Sequence, residues 1–347
     1  MRILGLSNMR DAAAALVEDG QLLAAAEEER FVRIKHVTAL PLHAIRFCLN
    51  STGIRLQDLD AIAVPWKYWQ LGRRAALAIG SMLQSPRLFT VKGARAADRL
   101  VHEWKELTFL RTLLSQRVDG TNCPPVVFLD HHLCHAASSM LVSPFERAAV
   151  MVVDGASEAH TTMLARADRE QIRVLTRVAL PHSLGQFYAA ITAYLGFRPD
   201  HDEYIVMGLA AYGVPRFAAA LREQVLRTVP EGQFRLNTRV LDFHLARHRI
   251  FSSQFLQLFG PARQPEEDIT SRHQDMAASA QAVLEETLLH LGRHLRTVTN
   301  EERLCLAGGS RTTVSPTADS CATPDSTKCS YRLRPAIPER RSVRPCG

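Results

Sequence analysis

The 347-residue chain contains no run of 18 or more apolar residues, so the sequence offers no membrane-spanning helix. No secretory leader is expected either. Met1-Arg2-Ile3-Leu4-Gly5-Leu6 is apolar but short, Arg10 and Asp11 follow at once, and no small-residue cleavage site appears. A cytoplasmic protein is therefore expected. The seven cysteines are odd in number and form no CxxC pair, which argues against a zinc ribbon and a disulfide scaffold. Basic residues are not interleaved with aromatics in the body of the chain, so a nucleic-acid interface has little support.

What is present is ordinary for a globular protein: 46% hydrophobic and 22% charged residues, with a length that allows two or three domains or lobes. The formal charge is +7, from 42 Lys and Arg against 35 Asp and Glu. Taken whole, this is a mildly basic protein with room for a phosphate-bearing partner. The excess is uneven, however. Residues 310–347 hold seven basic and three acidic side chains and so supply +4 of the +7. The rest is close to neutral.

Along the chain, residues 2–7, 12–17 and 21–26 are apolar and β-prone, with Asp19-Gly20 as a hairpin signal. Pro41 to Thr52 reads as a helix closed by Gly53. Leu59 to Val64 is a short strand, and Arg and Leu at helical spacing predict a helical insertion at 70–118. Pro125 to Leu129 reads as a strand ending at Asp130, and His131 to Met140 as a helix. Ala148 to Val153 is a buried strand, two more strands fill 161–179, and Gly185 to Leu195 is a helix closed by Gly196. A long helix from about Thr270 to Thr297 precedes the strand Leu304–Ala307. The pattern is a hairpin sheet, helix, strand and helix, then a second round. It predicts α/β architecture in two related lobes: 1–145, carrying the insertion, and 146–309. Asp11 and Asp154 fall at matching strand ends of the two halves, which puts a ligand cleft between them.

Five segments have chemistry to offer. In Asp130-His131-His132-Leu133-Cys134-His135, His131 and His135 share a helix face and could hold one borderline divalent metal. The same spacing fits a polar helix start with Asp130 as N-cap and the histidines in solvent. His132 points elsewhere, as a supporting or structural residue. Asp154-Gly155 ends a buried strand and suits a turn that approaches phosphate, or a plain strand-end turn. Gly308-Gly309 after a strand permits close approach of a nucleotide. Glu203 to Gly213 fits a loop wall or ordinary helix packing. Glu27-Glu28-Glu29-Arg30 with Arg33, Lys35 and His36 fits an anion clamp or a solvated charge run.

In this order the segments ILGLS…RDAAAAL, AAAEEERFVRIKH, DHHLCHAAS, VVDGASE, PHSLGQFY, EYIVMGLAAYG and LCLAGG resemble the N-terminal part of the O-carbamoyltransferases of the nodulation and antibiotic-tailoring type, over residues 1 to about 309. The resemblance implies a two-lobed actin/sugar-kinase-like (ribonuclease H-like) ATPase fold. It implies a carbamoyl group taken from carbamoyl phosphate and ATP, through carbamoyl-adenylate made by a separate C-terminal domain, to a hydroxyl of a small metabolite. Carried over by motif, His131 and His135 would ligate Fe(II) or another divalent metal. Asp11 and Asp154 would line the nucleotide and acceptor cleft, Lys35 would contact the donor, and Gly155, Gly308 and Gly309 would approach the nucleotide. The implied partners are small molecules; no nucleic acid or membrane is expected, and a homodimer is compatible with the resemblance.

The sequence departs from the family pattern in three places. Arg10-Asp11 stands where the family has His-Asp. Ile205 stands where Lys is frequent. The motif resemblance stops after Gly309. Residues 310–347 hold 11 Ser/Thr and five of the 17 Pro and read as a disordered tail. Codons that the genetic code permits for Ser310 to Gly347, read one base out of register, allow a family-like continuation with a Gly-Asp-Pro-Gly-Ala-Ala-Leu-Gly turn. A frame change near codon 309 is therefore the expectation. With it come an incomplete second lobe, loss of the Asp expected as a third metal ligand, and little or no carbamoyl transfer by the chain as written. Two other functions stay open: a sugar-kinase-like phosphotransferase, and a non-catalytic nucleotide-binding remnant.

Overall fold

The computed structural model describes residues 1–9, 11–70, 106–119, 122–241 and 251–309. Most of the expected insertion at 70–118, and the segment 310–347, lie outside the described residues.

The first sheet has the order β3-β2-β1-β4-β5. Its strands are β1 (Arg2–Ser7), β2 (Ala13–Glu18), β3 (Gln21–Glu27), β4 (Ala61–Val64) and β5 (Val126–Phe128). β1, β2 and β3 form an antiparallel meander, and β4 and β5 add in parallel on the other side of β1. Only β2 runs against the rest, which is the ribonuclease H-like arrangement. A period of two sets its core face: Leu4 and Leu6, Ala14 and Leu16, and Ile62 and Val64 are all buried. They meet Ala44, Ile45, Cys48 and Leu49 of helix α2 (Leu42–Thr52), a stripe at helical spacing. α2 ends at Gly53, whose φ of 69° is left-handed and suits glycine. Its N-terminus is held by Glu28, which is buried and accepts from Ala44 N at 2.9 Å and His43 Nδ1 at 2.6 Å. A short helix α1 (Glu29–Val32) lies between β3 and α2, and α3 (Leu110–Leu114) packs Leu110 and Leu114 into the same core.

The second sheet repeats the scheme in the order β11-β6-β7-β8. Its strands are β6 (Arg147–Val153), β7 (His160–Asp168), β8 (Ile172–Ala179) and β11 (Leu304–Ala307). Again an antiparallel meander is followed by helices and then by a strand parallel to the first: Ile3 pairs with Ala61, and Ala149 with Leu304. β6 is buried from Ala148 to Val153 because both of its faces are covered. Ala148, Val150 and Val152 meet Ala136 and Met140 of helix α4 (His131–Met140). Ala149, Met151 and Val153 meet helices α5 (Leu184–Tyr194) and α9 (Ser271–Thr299). The helix that follows the first sheet thus crosses to lie on the second.

The stretch between α5 and α9 adds α6 (Glu203–Ala210), α7 (Ala218–Gln224), a hairpin of β9 (Leu226–Val229) and β10 (Gln233–Leu236), and α8 (Ser253–Phe259). The motif Glu203 to Gly213 is therefore helix packing, one of its two expected readings. Gly213 lies so close to α9 that a Cβ there would sit 2.0 Å from the Gln274 carbonyl oxygen. No helix among the described residues is long and apolar enough to cross a membrane.

Candidate metal centre

β1, β3, β4 and β5 all end on one edge of the first sheet, as their pairing requires. Beyond that edge lie Asp11, the turn after β3, Pro65 and Asp130. Asp130 starts α4: its Oδ1 accepts from Leu133 N at 3.1 Å as an N-cap, and its Oδ2 accepts from Arg177 Nη1 at 2.8 Å. The N-cap reading of Asp130 and the shared face of His131 and His135 hold together. They are not alternatives, because the capped helix turns both histidines toward Asp154.

Their Nε2 atoms lie 3.1 Å apart. Asp154, directly after β6, brings Oδ2 to 3.1 Å from His131 Nε2 and 3.6 Å from His135 Nε2. These three donor atoms lie within 4.8 Å of one another and form the only such cluster among the described residues. Donor atoms bound to one ion at about 2.1 Å are separated by roughly 3.0–3.4 Å for octahedral or tetrahedral angles, so the set fits a His₂–carboxylate face. His131 is also set up as a ligand from behind. Its Nδ1 lies 3.1 Å from the Pro65 carbonyl oxygen, so Nδ1–H donates there and the Nε2 lone pair faces the cluster. Glu158, buried, accepts from His131 N and from Lys67 N, each at 3.1 Å, and ties the start of α4 to the end of β4. Trp66 packs edge-on against the His131 ring at 5.3 Å.

In the metal-free chain these contacts shift protonation. Burial works against a charged His131, but the hydrogen bond and charge of Asp154 outweigh it and hold its pKa above 6.5. Burial also works against the Asp154 anion, yet hydrogen bonds from both histidines carry its pKa well below the carboxylate range. Burial pushes His132 down to about 3 and the Cys134 thiol up to about 11. His132 is fully buried with neither ring nitrogen hydrogen-bonded, which agrees with the expectation that it turns away from the metal face.

The other expected site residues are placed as follows. Asp154 stands inside the cluster, in the third-ligand place that the sequence reading gave to an Asp from beyond Gly309. Gly308 has φ 98°, and a Cβ there would lie 2.2 Å from the Val153 carbonyl oxygen; at Gly309 it would lie 3.2 Å from Asp154 Oδ1. Both glycines thus press the end of β11 against the Asp154 turn. Gly155 donates its N–H to Asp154 Oδ1 at 2.7 Å. Lys35 is paired with Glu29 at 2.5 Å, and Asp11 with His36 at 2.8 Å. A cavity of about 830 Å³ lies against the first sheet, lined by Gly5, Ala13, Ala15 and Ala63 and reaching Cys134 of α4.

Residues 2–317 match the family model described as the carbamoyltransferase N-terminus. The chain belongs to the carbamoyltransferase family. The match runs somewhat past Gly309, where the motif resemblance ends. The chain is 36% identical over 316 residues to an uncharacterised protein of Synechocystis, covering 88% of this chain and 50% of that protein. It is 33% identical over 310 residues to the nodulation protein NolNO of Sinorhizobium fredii, covering 87% of this chain and 40% of that protein. The chain thus spans half or less of the length of these curated relatives. Among solved structures, HypF of T. kodakarensis aligns with a TM-score of 0.41 at 13% identity, over 90% of this chain and 42% of that one. YeaZ from Pseudomonas aeruginosa aligns with a TM-score of 0.25 at 18% identity, over 52% of this chain and 69% of that one.

Proposed function

We propose that this chain is the acceptor-side half of an O-carbamoyltransferase: it moves a carbamoyl group from a phosphate-bearing donor, carbamoyl-adenylate, to a hydroxyl of a small molecule. The observation that carries this reading is the His131–His135–Asp154 cluster, formed where α4 meets the turn after β6, in a chain of the carbamoyltransferase family. In this reading His131, His135 and Asp154 hold a divalent ion, Fe(II) by family resemblance, and Pro65 and Glu158 keep the His131 ring and the start of α4 in place. When bound, the ion supplies a positive charge for the donor's phosphate oxygens and polarises the carbonyl under attack. Asp11 lines the acceptor side. Lys35 serves the anionic donor after exchanging its Glu29 partner. Gly155, Gly308 and Gly309 let the backbone turn come close to the nucleotide. The two lobes hold donor and hydroxyl together, which lowers the entropic cost of an acyl transfer.

The test uses the full chain with Fe(II) and carbamoyl-adenylate made just before use by the adenylate-forming domain of a longer relative. AMP release is followed with glycerol as the hydroxyl acceptor, together with carbamoyl-glycerol by mass spectrometry. The expected result is metal-dependent release of both products, slow beside a complete two-domain relative because the second lobe is cut short, and lost in His131→Ala. Phosphate transfer to glycerol from MgATP, with no carbamoyl product, would favour the sugar-kinase-like alternative. Neither product would leave a non-catalytic remnant.

A further inference from the structure

Seven non-glycine residues among those described have a left-handed backbone: Asp11, Asp19, Arg33, His36, Asp200, Glu231 and Asn300. Four have local reasons. Asp19 and Glu231 sit in hairpin turns, and Arg33 and Asn300 close helices. The other three converge. Asp11 (φ 62°) and His36 (φ 56°) contact each other, with His36 Nδ1 at 2.8 Å from Asp11 Oδ1. Asp200 (φ 65°) precedes His201, whose ring meets that of His36 edge-on at 4.7 Å. Strained backbone of this kind persists where the surroundings hold it, and it gathers at functional sites.

The place is informative. Asp11 follows β1 and His36 follows the turn after β3, so both lie beyond the sheet edge that also carries Pro65 and His131. His201 comes from the second lobe. The cluster therefore bridges the lobes on the metal side of the first sheet, without belonging to the metal cluster. In neutral His36, Nδ1–H donates to Asp11 and leaves Nε2 as an acceptor. A carboxylate orients a base in the same way in other acyl-transfer sites. The histidine side chain is 37% exposed, so a small molecule can reach it. His131 and His135, by contrast, have Nε2 turned to each other and to Asp154.

We propose that His36, oriented by Asp11 and braced by His201, is the base that receives the acceptor's proton. This rests on the carbamoyl-transfer reading. As the acceptor oxygen bonds to the carbamoyl carbon, its proton passes to His36 Nε2. The bond from that carbon to the donor's phosphate oxygen breaks, the electron pair leaves with the phosphate, and His36 later releases the proton to water.

Two measurements on the full chain test it. In a ¹⁵N-histidine-labelled sample without substrate, His36 is expected as the Nδ1–H tautomer, reverting to Nε2–H in Asp11→Ala. In the AMP-release assay with glycerol, His36→Ala is expected to lose about 100-fold or more in kcat with little change in KM for carbamoyl-adenylate, and added imidazole is expected to restore part of the loss. An unchanged tautomer in Asp11→Ala, a kcat within about threefold of wild type, or a loss that imidazole does not rescue would each overturn the proposal. If the wild type releases no AMP, the transfer reading falls and this role falls with it. The tautomer result then still reports whether the Asp11–His36 pair exists.

Discussion

His131 and His132 are neighbours on one helix, yet burial and partners drive their proton affinities apart. His132 is buried without a hydrogen bond and holds no proton until about pH 3, whereas an unfolded chain takes one up below about 6.5. The unfolded state therefore binds more protons across that interval, and stability falls as the pH drops through it. His131 has the opposite sign. Its raised pKa gives the metal-free chain a contribution that is complete below 6.5 and lost as the pH rises through the folded-state value. Thermal melts of the metal-free chain against pH test both. His132→Phe is expected to flatten the acid-side decline, since removing an unpaired buried imidazole costs little. Asp154→Asn is expected to remove the decline above 6.5. An unchanged acid limb in the first variant, or an unchanged alkaline limb in the second, would contradict these assignments. At this scale the i, i+4 spacing made His131 and His135 legible from the sequence. The placement of Asp154 among them was not, because it depends on two sheets meeting across 23 residues of chain.

Helix α4 is the element that converts the fold into a site. Its bounds were readable from Asp130 and the residues that follow, but its packing was not: nothing local says that a helix following the first sheet will lie on the second. Asp130→Ala removes the cap on Leu133 N and strands Arg177, so a loss of about 1 kcal/mol or more is expected in chemical denaturation. The short strand β11 matters in a different way. Gly308→Ala would put a methyl against the Val153 carbonyl in a backbone region that L-residues avoid. A lower melting temperature and weaker metal retention together are expected, because the strained segment adjoins the Asp154 turn. A Gly308→Ala protein that melts and binds metal like wild type would show that this packing is not required. The elements between α5 and α9 were largely unread, since α7, β9, β10 and α8 are short and carry little periodicity.

For the whole molecule, the duplicated architecture was legible because each half opens with an antiparallel meander and then adds a parallel strand. The chain leaving β5 and the turn after β6 meet at His131 and Asp154, 3.1 Å apart. The charge clusters near residues 27–36 were read less well. Glu28 is buried at the N-terminus of α2, Lys35 is paired with Glu29, and Arg30 lies beside Glu27, so the run largely satisfies itself in this state. The family assignment covers nearly the whole described chain, and the central claim within it is that one divalent ion sits on His131, His135 and Asp154. The direct measurement is metal content by mass spectrometry after anaerobic loading with Fe(II) and desalting, on wild type, His135→Ala and Asp154→Ala, with circular dichroism to confirm folding. The expected result is about one iron per wild-type chain and almost none in either folded variant. Equal iron in the variants, or none in the wild type, would contradict the account.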